Sequence, residues 1–182
     1  MTQPPTLSRE LLVWAHRAGY SLTPVDHSGA AILWSDPGGE TRYYVRRRDD
    51  GWIELTRASR GGDEQFTLMT ASTEVLERYL LGLFGDVIRD QKGLPVLRTP
   101  WGVDDLADGY ALSDISGDGY RTLSAADSTP LARSRDKTMS LLDLVPLSHY
   151  LQISVRDLEE SYLSASGAPL LSGDQYSSGG ER

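Results

Sequence analysis

Between Val75 and Ile88, apolar residues recur in adjacent pairs every four positions: Val75-Leu76, Tyr79-Leu80, Leu83-Phe84 and Val87-Ile88. That rhythm predicts a helix with one broad apolar stripe, a core seam able to cover one face of a sheet. Ser72 or Thr73 caps its start and Glu74 stands in its first turn, while Lys92-Gly93 closes its last turn ahead of Pro95. Upstream the period falls to two. Ala30 to Ser35 reads as one strand, and Thr41 to Arg46, Ile53 to Thr56 and Gln65 to Thr70 alternate between two faces. Between them stand Asp36-Pro37-Gly38-Gly39, Asp50-Gly51 and Arg60-Gly61-Gly62-Asp63, all turn chemistry, so an antiparallel meander is expected. A short helix from Ser8 to Ala18 precedes it, closed by Gly19. Beyond the long helix, Thr99 to Ala125 reads as irregular, with a hairpin at Gly117-Asp118-Gly119. A third helical region opens near Thr138 and is expected to break at Pro146, where a new helix starts. Ser154 caps a last helix, Val155 to Leu163, and the Gly/Ser-rich residues after Ser172 read as a mobile tail. The expected fold class is α+β: an antiparallel β-meander packed against a long amphipathic helix, with further C-terminal helices. Residues 1–172 form one domain and 173–182 a flexible tail.

Charge and composition narrow the function classes. With 18 Lys and Arg against 26 Asp and Glu, the chain carries a formal charge of −8, which repels a phosphate backbone and argues against nucleic acid. The charge is uneven. Six Arg lie between Arg42 and Arg60 against three acids, while six Asp lie between Asp104 and Asp127 against Arg121 alone. Such runs are either solvated surfaces or faces that steer an oppositely charged protein. There is no cysteine, which removes disulfides, thiolate metal sites and cysteine nucleophiles. No apolar run approaches the roughly 18 residues that span a bilayer, and Met1 to Thr6 lacks the basic region of a secretory signal. A cytoplasmic protein with no membrane contact is expected.

Candidate chemistry is thin. Asp26-His27-Ser28 contains the residue types of a hydrolase triad, but neighbours in a turn cannot converge as a triad must. Asp114, Ser116, Asp118 and Gly119 resemble the start of a calcium loop, yet the twelfth position, which should be Glu, is Ala125. Gly38-Gly39 and Gly61-Gly62 are followed by Glu40 and Asp63, the wrong charge to cradle a phosphate. Leu147 to Leu163 has a helix-turn-helix rhythm, but Asp157, Glu159 and Glu160 would face the DNA. His149 reads as a packed or capping residue. No cofactor or metal is expected.

The order of segments carries more. A short helix ending in HRAGY (His16 to Tyr20) precedes WSDPGGETRYYV (Trp34 to Val45) and DGW (Asp50 to Trp52). The long helix then runs into KGLP (Lys92 to Pro95), followed by SHYL (Ser148 to Leu151) and GAPLL (Gly167 to Leu171). From Leu7 to Leu171 the chain resembles the bacterial polymorphic-toxin immunity family that includes the immunity factor for tuberculosis necrotizing toxin. The resemblance implies an inhibitor rather than an enzyme, which binds a cognate NAD-hydrolysing toxin domain and occludes its NAD-binding cleft. A monomer forming a 1:1 heterodimer is expected. Two other readings remain open: a binding module for a small ligand or regulatory partner, and a hydrolase with carboxylates among Asp104, Asp105, Asp108, Asp114 and Asp118. Plugging a cleft needs a rigid protruding segment. Candidates are the turn carrying Asp36 and Glu40, and the exit from the long helix, Arg89, Asp90, Lys92, Gly93, Leu94 and Pro95, with Trp101 as an aromatic anchor.

Overall fold

A computed structural model describes residues 3–35 and 38–177. The chain opens with α1 (Arg9–Arg17), whose first turn is capped by the Ser8 hydroxyl accepting from the Leu11 N–H. Gly19, at φ +80°, turns it directly into β1 (Tyr20–Thr23). The expected meander follows as β2 (Ala31–Ser35), β3 (Thr41–Arg47), β4 (Ile53–Ser59) and β5 (Gln65–Thr70). The long helix is α2 (Thr73–Gln91), capped by Ser72 and closed at Lys92 with Gly93 at φ +64°. A long loop then leads to β6 (Tyr110–Leu112), β7 (Tyr120–Ala125) and β8 (Pro130–Arg135). The chain continues through α3 (Met139–Tyr150), α4 (Val155–Leu163) and a ribbon of β9 (Leu171–Ser172) and β10 (Gln175–Tyr176).

Among the described residues, β1 to β8 form one antiparallel sheet in the order β1-β2-β3-β4-β5-β8-β7-β6. The fold is therefore α+β, as expected. Leu33, Val45, Leu55, Leu68, Leu123 and Ala132 point to one face and join Leu11, Leu76, Leu80, Phe84, Leu144 and Leu147 from the helices in a single core. Burying a Leu or Phe side chain of this kind contributes about 1.5–3 kcal/mol, so the α2 stripe is a main source of stability.

Three expectations are corrected. The helix opening near Thr138 does not break at Pro146 but runs through it to Tyr150. Pro146 is buried, and Leu142, whose carbonyl the missing N–H leaves without its helical donor, is exposed to water. The stretch from Gly173 to Ser177 is not a loose tail, because β10 pairs with β9 and the Tyr176 hydroxyl donates to Pro100 O at 2.7 Å. The meander also gains an unexpected edge strand, β1, paired with β2 from Tyr20↔Ser35 to Thr23↔Ile32.

Candidate partner-binding surface

The loop between α2 and β6 has little regular structure, yet it is held at intervals along its length. Arg89, in the last turn of α2, is only 2% exposed. Its guanidinium donates to Pro95 O at 2.6 Å on one side and to Tyr162 O and Ser164 O, at 3.1 and 2.6 Å, on the other. It thus pins the loop to the carbonyl end of α4, where the helix dipole is negative. Leu97 is buried, and Tyr176 holds Pro100. A single 3-10 turn, Val103–Asp105, follows, and the Asp105 carboxylate accepts from Gly102 N–H at 2.8 Å. His149 of α3 donates from Nε2 to Asp105 O at 2.7 Å while its ring stacks on Tyr176 at 3.4 Å. Burial holds the His149 pKa below the usual histidine value, so near neutral pH the ring is uncharged and the carbonyl fixes which nitrogen carries its proton. Ser148 Oγ then accepts from Ala107 N–H, and Gln152 donates to Asp108 O.

This bracing supports side chains that water would not select. Val96 is 82% exposed, Val103 56% and Trp101 44%. Beside Trp101 lies a cleft of about 450 Å³ lined by Arg98, Pro100, Asp105, Asp174 and Gln175. Asp104 and Asp108 face solvent on the same loop. An exposed aromatic, two exposed valines and flanking carboxylates on a braced loop make this stretch a candidate protein-binding surface, with an apolar centre and an acidic margin.

Asp90, Lys92, Gly93 and Pro95 are exposed and Leu94 is half-buried on this same segment, next to the Trp101 stretch. Arg89 is a correction: it is buried and serves as a staple rather than a contact residue. Glu40 is exposed but stands elsewhere, in the turn between β2 and β3, while Asp36 lies outside the described residues. The sequence reading missed Val96 and Val103, whose exposure only the path of the loop reveals, and the Tyr176 clamp, which it assigned to a tail.

The other candidate chemistry resolves into local structure. Asp26 Oδ1 accepts from Ser28 and Ala30 N–H at 2.9 and 2.8 Å, so Asp26-His27-Ser28 is a turn. Asp118 is taken up by Ser116 and the Tyr120 N–H within the β6–β7 hairpin. A cleft of about 670 Å³ lies between α2, α3 and the ends of β4, β5 and β8, with Asp143 on its wall. That carboxylate, its pKa raised by burial, accepts from Tyr79 OH at 3.0 Å and Ser134 Oγ at 2.6 Å, which braces α2 and β8 to α3.

Residues 14–170 match the family described as Immunity protein 61. The chain belongs to the Immunity protein 61 family. Two relatives, the "Immunity factor for TNT" of Mycobacterium tuberculosis and its homolog in Mycobacterium bovis, are each 33% identical over 175 residues. Those alignments cover 93% of this immunity protein and 95% of each relative. The solved structure of Rv3902c from M. tuberculosis superposes with a TM-score of 0.79 at 32% identity, covering 90% of this chain and 92% of that one. The described helices include none long and apolar enough to cross a membrane.

Proposed function

We propose that this immunity protein is a cytoplasmic antitoxin. It binds a cognate NAD-hydrolysing toxin domain 1:1 and inhibits it by placing the loop from Lys92 to Asp108 in the NAD-binding cleft. It acts as a stoichiometric inhibitor and performs no catalysis itself. The observation that carries this reading is the match to immunity factors at 33% identity over 93% of the chain. The braced loop adds a means. A cleft that binds a dinucleotide offers apolar surface for the rings and positive charge for the pyrophosphate. Trp101 and Val103 complement the first, and Asp104 and Asp108 the second. Pre-bracing by Arg89, His149 and Tyr176 lowers the ordering entropy that a floppy plug would lose on binding.

The test is co-expression with the candidate toxin domain, followed by gel filtration and an NAD-hydrolysis assay. A 1:1 complex without NAD turnover is expected. Lys92→Glu, Leu94→Ala and Trp101→Ala are then compared separately. At least one should weaken toxin binding by more than about 1 kcal/mol, the scale of a meaningful interface residue, with its melting temperature unchanged. Full affinity in all three would remove the loop from the interface.

A further inference from the structure

Alternation along the strands sends every second side chain to the sheet face opposite the helices. Cross-strand pairs of that face include Trp34↔Arg42, Tyr44↔Thr56, Thr56↔Phe66 and Tyr120↔Arg135. An uncovered antiparallel face is ordinary, but its usual dress is small polar and mixed-charge residues. Here it is mainly aromatic and basic, with Glu54, opposite Arg46 and ion-paired to Arg48, as an acid within it. The Arg133 guanidinium lies over the Trp52 ring at 4.6 Å, and Arg46 lies over Tyr44 at 5.0 Å. Arg135 sits over both Phe66 and Tyr120, at 4.9 and 4.5 Å. Glu64 neutralises Arg46, with an oxygen 2.8 Å from its guanidinium. Among the described residues, Arg42, Arg133 and Arg135 have no carboxylate at ion-pair distance, and the enclosed Nε of Arg133 has no acceptor at all. At one end of the face Trp34, Ile32, Thr23 and Arg42 line a hollow of about 360 Å³.

We infer that this face is a second docking surface, which receives an acidic protein segment rich in Asp and Glu. Stacking fixes the guanidinium planes of Arg133 and Arg135. One Arg135 nitrogen donates to Tyr120 OH and Arg42 Nε donates to Gly39 O, but neither contact neutralises the charge, and the remaining N–H groups can receive a carboxylate through paired hydrogen bonds. Arg and aromatic residues are also the types enriched at the centres of protein interfaces. The chain is acidic overall, so a face with three Arg lacking carboxylate partners selects against most of its own surface and for an acidic partner. A second copy docked face to face would oppose these guanidiniums with their own equivalents. A single-stranded nucleic acid would need open rings for stacking, and the guanidiniums already cover Trp52, Tyr44, Phe66 and Tyr120. The surface is independent of the proposed toxin loop, which is hydrogen-bonded to the helical layer on the other side of the sheet.

The experiment titrates fluorescent poly-glutamate into the purified protein and follows anisotropy. Binding that weakens with salt is expected. The double variant Arg133→Ala/Arg135→Ala should bind about tenfold more weakly, as expected for two charge-assisted contacts. Arg133→Lys/Arg135→Lys should recover only part of the binding, because ammonium groups lack the planar fork. Trp101→Ala, on the loop, should leave it unchanged. Melting temperatures of all variants are read alongside, since Arg133 is half-buried while Arg135 is exposed. Equal poly-glutamate binding by the wild type and the double Ala variant would overturn the inference. So would tighter binding of an oligonucleotide of equal length, or a wild-type dimer that the double Ala variant converts to monomer.

Discussion

The guanidinium of Arg89 reaches the C-terminal carbonyls of α4, groups that no later turn of helix supplies with donors. Arg78, three turns earlier on α2, does the same for α3 by donating to Ile153 O at 2.6 Å and Tyr150 O at 3.3 Å. One helix thus uses two cations to close two others. The planar fork of Arg89 serves Pro95 and α4 together, and a single lysine ammonium cannot span both. Arg89→Lys should therefore lose about 2–4 kcal/mol in urea unfolding, from stranded carbonyls and a poorly placed buried charge. A loss below about 0.5 kcal/mol would mean the loop and helix end are held by other contacts. His149 makes the fold sensitive to pH. Its pKa is lowered in the fold, so the unfolded chain binds the proton more tightly, and stability falls as pH drops below about 6.5, the ordinary histidine value. Melting temperatures of the wild type and His149→Gln, measured between pH 8 and pH 5, should show the wild type losing more on acidification. Parallel curves would show that the ring titrates without consequence for the fold.

Helix α2 packs against α4 through glycine. A Cβ at Gly85 would stand 2.3 Å from Cγ of Tyr162, a ring that is itself buried and hydrogen-bonded to Tyr150 OH at 2.8 Å. Alanine gains about 0.8–1.0 kcal/mol of helix propensity over glycine, but overpacking of a rigid ring costs about 1–3 kcal/mol or more. Gly85→Ala should thus lower the melting temperature although it improves the helix locally, and an increase would show that α4 can shift outward freely. The period of the α2 stripe was legible from the sequence, as were the caps at Ser8, Ser72 and Ser154 and the glycine stops, because each depends on neighbours within a turn or two. Gly85 was not, since its meaning lies in a ring 77 positions further on. Pro146 misled for a related reason: the rule that proline breaks helices assumes the freed carbonyl has nowhere to go, and Leu142 lies at the water-facing side. Tyr176 sat in a Gly/Ser-rich stretch whose composition outweighed its one anchoring ring. The candidate loop was legible as far as Lys92 to Pro95 and Trp101, but composition alone could not show Arg89 turned inward and Val96 turned out.

Over the whole molecule the charge separates into two fields. The formal charge of −8 masks a basic sheet face and an acidic loop that lies against the helical layer. Long-range attraction acts before contact, so charges at the margin of an interface change the association rate more than the lifetime of the complex. Asp104 and Asp108 are exposed, beside Val103 and a few residues after Trp101, whereas Asp105 is committed to holding Gly102. If the loop enters a basic cleft, Asp104→Lys/Asp108→Lys should slow association with the toxin by about tenfold at low salt while the dissociation rate changes little. Trp101→Ala should do the reverse, speeding dissociation and sparing association, because a central apolar anchor acts after docking. The contrast should shrink in about 1 M salt, where the Debye length falls to about 3 Å and steering is lost. Stopped-flow fluorescence with purified toxin domain separates the two rates. Association that ignores both the charge reversal and the salt would mean that the toxin meets the protein at another surface. The basic sheet face, where Arg42, Arg133 and Arg135 meet no carboxylate among the described residues, would then be the next to change.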